Sequence, residues 1–236
     1  MLHFFRRIRQ SLLETNRFRK YLIYAIGEIV LVMIGILLAL QVNNWNQERQ
    51  NRHEESKILL ELKKDMTTNL ERLDFASSIM DRQQGQISQA LALYDDRAIS
   101  DDSIRSVLRP LFARVVMTYD PVGGTIQSIL NADKLKLLQN PELNRKLVNW
   151  PAFLDDVKEE EQKILHFKEY DLVPFMNNCC PRDRKRTLDL KTLLANYRFE
   201  NLLLDYRRTG NILIRDYDRL KTYIQEMIDI INQEIK

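Results

Sequence analysis

Residues 21–42, YLIYAIGEIVLVMIGILLALQV, contain only two non-aromatic polar side chains, Glu28 and Gln41. At about 1.5 Å per residue a helix of this length spans the hydrocarbon core of a bilayer. The pattern therefore predicts a transmembrane helix over 21–42. A secretory signal would have a shorter apolar run, about 7–15 residues, closing on small residues at a cleavage position. This run is longer and closes on Ala39, Leu40 and Gln41, which predicts an uncleaved anchor.

Beyond the anchor the hydrophobic pattern becomes a seam. Leu59, Leu62, Met66, Leu70, Leu73, Ser77, Met80, Gln84, Ile87, Leu91 and Tyr94 follow one another at spacings of three and four almost throughout, predicting a helix about 50 Å long. The C-terminal stretch repeats it through Phe199, Leu203, Tyr206, Gly210, Leu213, Tyr217, Leu220, Ile224, Met227 and Ile231. Two long helices at the two ends of a domain suggest antiparallel packing. Seams interrupted by Ser77, Gln84 and Gly210 favour a packed core over a free coiled-coil oligomer.

Between the seams, Ser100 to Ser103 (SDDS) supply a cap and acids for a helix over about 101–118, with Pro110 as a kink. Asp120-Pro121 and Gly123-Gly124 mark a turn, and a short helix follows from about 125. Asn140-Pro141-Glu142 has the form of an N-cap, a first-turn proline and a first-turn acid. Leu143, Leu147, Trp150, Leu154, Val157, Ile164 and Phe167 carry that helix to about 170, with an interruption expected at Pro151. Nothing alternates with period two. The expected fold class is all-α: one N-terminal transmembrane helix followed by an extracytoplasmic bundle of four or more helices, the two long ones antiparallel.

Composition sharpens this reading. With 44% hydrophobic and 29% charged residues the chain is ordinary for a globular protein, and the 194 residues after Val42 suffice for one domain. The net charge of +3 resembles a nucleic-acid signal only until the charges are placed. Arg6, Arg7, Arg9, Arg17, Arg19 and Lys20 all precede the apolar run, leaving 30 basic and 31 acidic residues after it. No nucleic-acid partner is expected. The basic flank, by the positive-inside bias, places residues 1–20 in the cytoplasm and residues 43–236 outside it, in a periplasm or outside the cell. Residues 2–20 interleave apolar side chains with arginines, which suits either an amphipathic tail on an anionic leaflet or a plain orienting flank. Trp45 suits the outer interface. Arg6, Arg7, Arg9, Arg19, Lys20 and Trp45 are the expected membrane-interface residues.

The stretch YAIGEIVLVMIGILLALQVNNWN (residues 24–46), with the preceding FFRRIRQ, resembles the N-terminal signature of a bacterial family of single-pass membrane proteins known only as a domain of unknown function. KLKLLQNPELNRKL is similar too, less sharply. The resemblance implies an anchored, helical, envelope-located protein and no catalytic residue. Cys179-Cys180 and the basic run after them have no place in that pattern.

Within the anchor, Glu28 is costly at membrane depth unless neutral, paired or facing protein. Its structural reading is a carboxyl reaching Tyr24, Lys20 or a neighbouring helix; its functional reading is an oligomer interior or an ion path. Gly27, Gly35 and Ala39 share a face beside it and permit close helix approach, so self-association through these four residues is expected. Cys179 and Cys180 are the only thiols, placed in a loop, MNNCCPRDRKR. Adjacent Cα atoms lie about 3.8 Å apart, closer than a relaxed disulfide prefers. A strained vicinal disulfide serving as a turn or redox switch, bonds to a second subunit, and inert thiols all remain open. His3, His53 and His166 lack zinc-ligand spacing, although His166 lies near Glu161 and Glu169. Asp155-Asp156 and Glu159-Glu160-Glu161 read as a solvated face. No phosphate loop, nucleophile elbow or paired CxxC occurs.

No metal and no cofactor is expected, and no enzyme. The expected function is that of a non-enzymatic inner-membrane protein whose helical domain binds a ligand or an envelope protein and whose anchor self-associates in the lipid bilayer. The alternative is an oligomeric sensing or gating subunit with Glu28 lining a membrane path.

Overall fold

The computed structural model describes residues 17–94, 100–108, 111, 117–132, 134–179 and 190–235, and every regular element among them is helical. They comprise α1 (Arg17–Ala92), α2 (Asp101–Leu108), α3 (Gly124–Asn131), a 3-10 turn (Lys134–Leu137), α4 (Pro141–His166), a π-helical segment (Phe167–Leu172), α5 (Val173–Cys179), α6 (Leu190–Leu194) and α7 (Tyr197–Glu234). Arg6, Arg7, Arg9, Pro110, Cys180 and the basic run at Arg182, Arg184, Lys185 and Arg186 lie outside the described residues.

The chain divides into two units, Met1–Glu55 and Ser56–Lys236, and α1 contributes to both. From residue 36 to residue 84 the sequence contains neither Gly nor Pro, so nothing in it ends the helix at the expected exit near Val42. In the first unit the helix side chains of residues 22–50 are all exposed. α1 is the one helix among the described residues long and apolar enough to cross a membrane, and its most apolar window is not buried by any part of the chain.

The second unit has a continuous core, and its seams match the sequence pattern closely. On α1, Leu59, Leu62, Met66, Leu73, Ser77, Met80, Gln84 and Ile87 are buried and Leu70, Leu91 and Tyr94 half-buried. On α7, every residue of the expected seam is buried. Tyr206 of α7 reaches Gln83 of α1 at 2.7 Å, and Lys221 of α7 pairs with Asp74 of α1 at 2.5 Å. α4 packs along α7.

The helix starts are chemically explicit. The Ser100 hydroxyl accepts from the Ser103 N–H at 3.3 Å ahead of α2. The Asn140 side chain accepts from the Glu142 and Leu143 N–H groups, both at 3.0 Å, ahead of α4. An uncapped Asn at such a position would leave first-turn donors unpaired. Asn196 does the same for α7, accepting from Arg198.

Three expectations change. The helix expected over about 101–118 is α2 only as far as Leu108, and residues 117 and 118 are not helical; Pro110 in the sequence disfavours helical backbone in the residue before it. α4 runs unbroken through Pro151, which lies on the exposed side while Trp150 and Leu154 keep their places in the core. Packing of that face outweighs the loss of one intrahelical bond. Met176 to Cys179 also belong to a helix, the end of α5, and not to the loop expected there.

Candidate functional site

The π-helical segment is where the regular winding yields. Pro174 has no N–H to offer the carbonyl four residues back, and its ring crowds that carbonyl. The backbone widens instead, and the Val173 N–H bonds to the Lys168 carbonyl, five residues back. This has a consequence for side-chain placement. Ile164, Lys168, Leu172 and Met176 are spaced by fours, and in a straight α-helix each such step rotates the position by about 40°. The wider turn cancels that drift, and Lys168, Leu172 and Met176 end on one wall of the same cavity.

That cavity, about 290 Å³, opens between α1, the π segment, α5 and the start of α7. Ile79, Ile87, Phe199, Leu202 and Leu203 contribute apolar lining, and Tyr206 closes one side. Arg82, Gln83, Gln86 and Lys168 are its polar lining. Lys168 is only 8% exposed, and burial pulls its amine below the usual lysine range. The Tyr206 hydroxyl donates to Gln83 Oε1 at 2.7 Å, and burial pushes its pKa up to about 12, so it stays a donor. A few polar groups converging on an apolar concavity is the usual composition of a small-molecule site.

A second cluster is structural. Glu161 is buried, and one carboxyl oxygen accepts from the Tyr119 N–H at 2.6 Å and the Tyr217 hydroxyl at 2.5 Å. Burial raises its pKa, against the lowering by these two donors and Lys158. Asn69, fully buried, donates to the Val122 carbonyl at 2.9 Å and accepts from the Val122 N–H at 2.7 Å. Arg72 donates to the Asp120 carbonyl at 2.8 Å. These three side chains give the irregular stretch 117–123 backbone partners that no helix or strand supplies.

The sequence-predicted residues are distributed differently. Gly27, Glu28, Gly35, Ala39 and Trp45 are exposed on α1, and a Cβ added at Gly27 or Gly35 would meet nothing within 4 Å. Arg19 is exposed and Lys20 belongs to the first turn of α1. Cys179 is half-buried at the end of α5, its Sγ 3.9 Å from the Met176 carbonyl. His166 is exposed and stacks near Tyr170, with ring centroids 4.5 Å apart, while Glu161 is committed to Tyr119 and Tyr217. Among the described residues no three His, Cys, Asp or Glu side chains are placed to hold a metal.

Glu161 was missed by reading its charge run as a solvated face, and Lys168 was not singled out at all. A signal was available: Leu154, Val157, Glu161, Ile164 and Lys168 continue a spacing of threes and fours through both charges.

Residues 28–151 match a family described as a family of unknown function, DUF6090. The chain belongs to that family. No curated protein and no solved structure matches the chain at a significant level. The DUF6090 match covers the α1 wall of the cavity and stops within α4, so Lys168, Leu172, Met176 and the α7 wall lie beyond it, as do Cys179 and Cys180. Its start at Glu28 falls inside the apolar segment.

Proposed function

We propose that this DUF6090 protein is a non-enzymatic, single-pass protein of a bacterial inner membrane whose extracytoplasmic helical domain binds a ligand or partner. In this reading residues 1–20 are cytoplasmic, residues 21–42 cross the bilayer and residues 43–236 form the exterior domain. α1 and α7 run antiparallel as the long helices of a bundle, a reading supported by pairs in which α1 numbers fall as α7 numbers rise: Gln83 with Tyr206, Asp74 with Lys221. The anchor self-associates through Gly27, Glu28, Gly35 and Ala39, all of them exposed on α1.

The observation that carries the binding role is the cavity between α1, the π segment, α5 and α7. The acids available for proton transfer favour binding over catalysis: Asp155, Asp156 and Glu159 are exposed and Glu161 is held by two donors.

Filling the cavity tests the role. Leu203 lines it and is nearly buried, so Leu203→Trp should occupy the space. The full-length variant and wild type are purified from native membranes and their bound small molecules and proteins compared by mass spectrometry. Loss of a bound species in the variant, with helix content retained, is the expected result. An identical complement in both overturns the binding role.

A further inference from the structure

We infer that the cavity takes a single-chain anionic amphiphile, a fatty-acid-like carboxylate, with its chain among Leu172, Met176 and Leu203 and its headgroup at Lys168 and Arg82. The inference rests on the binding role proposed above and gives it a ligand class.

Size limits the occupant first. At about 290 Å³ the cavity lies at the small end of ligand pockets, a space suited to one medium chain. The lining fits an acyl chain, since α1, α5 and α7 all contribute aliphatic or aromatic side chains. Charge then selects the headgroup. Among the described lining residues the two side chains of charged type, Arg82 and Lys168, are both basic, with the amides of Gln83 and Gln86 beside them. Arg82 is exposed and Lys168 buried, so a carboxylate meets one cation near solvent and one near the apolar wall. Burial disfavours the ammonium form of Lys168, and a carboxylate placed beside it favours that form. The π turn ties the parts together, because it holds Lys168 on the same wall as Leu172 and Met176.

The test uses the full-length protein in phosphatidylcholine vesicles and a decanoate bearing a terminal diazirine as the probe. After irradiation, labelled positions are read by peptide mass spectrometry. Labels are expected on cavity residues such as Met176 and Leu203, displaced by plain decanoate at concentrations about tenfold below those needed with decanol. Lys168→Met, which keeps the aliphatic stem, should weaken cavity labelling about tenfold, whereas Lys168→Arg should retain it. Equal displacement by decanol and decanoate, or full labelling of Lys168→Met, overturns the anionic class while leaving a binding cavity. Labels confined to residues 21–42 overturn the amphiphile itself, and the Leu203→Trp comparison then decides the binding role separately.

Discussion

A carboxylate withdrawn from water needs donors, and Glu161 has the Tyr119 N–H and the Tyr217 hydroxyl. Burial still raises its pKa, so the folded chain holds a proton over a range where the unfolded chain has released it. The stability from that proton is complete below the unfolded value, about 4.3, and is lost as pH rises through the folded one. Glu161→Gln keeps an acceptor for both donors and cannot ionise. Its stability relative to wild type is therefore expected to increase as pH rises from about 4, measured as paired melting curves at several pH values. A difference that stays flat with pH would show that Glu161 titrates alike in both states. Glu161→Ala should cost about 3 kcal/mol near pH 4, because two buried donors lose their acceptor, and less as pH rises and wild type loses the stability carried by the Glu161 proton.

At the scale of elements, the approach of α1 to α7 is set where Gly210 meets Gln84. A Cβ at Gly210 would overlap the Gln84 amide, whose Nε2 lies 3.4 Å from the Tyr206 carbonyl and whose Oε1 is buried with no partner. Alanine in place of glycine within a helix ordinarily gains about 1 kcal/mol. Overpacking against a buried side chain costs about 1–3 kcal/mol. Gly210→Ala is accordingly expected to destabilise by about 1 kcal/mol, and the same substitution in a Gln84→Ala background to stabilise. A double-mutant cycle on denaturation free energies reads this coupling; additive effects would mean that the two helices separate at this point at no cost. The π segment belongs to this scale as well. Pro174 states in sequence that one bond is missing, yet whether the helix breaks, kinks or widens depends on what its faces pack against.

For the whole molecule, the proposed orientation rests on the charge bias across the apolar segment. A reporter enzyme fused after Lys236 should be active only when it is one that works outside the cytoplasm; activity of a cytoplasm-only reporter reverses the proposed topology. In the same membranes, cysteine crosslinking along the anchor should favour positions beside Gly27, Gly35 and Ala39 and weaken in Gly35→Leu. Uniform crosslinking along the helix would remove self-association from the proposal. Glu28 sits beside these residues on an open helix surface, and a neighbouring copy is the simplest way for it to avoid lipid.

Periodicity and caps alone determine much of the local structure of this protein. The apolar run, the two seams, and the caps at Ser100 and Asn140 are local properties, each legible because neighbours in sequence determine them. The gap left by reading polar residues as surface is equally physical. Glu161, Lys168 and Asn69 are buried because residues distant in sequence bring donors, acceptors or apolar walls to them: Tyr217 to Glu161, Val122 to Asn69, and α1 and α7 to Lys168. No window along the chain contains both sides of such a contact. Only the tertiary structure could decide that a run of charges hides one carboxylate in the core, and that one lysine faces a cavity.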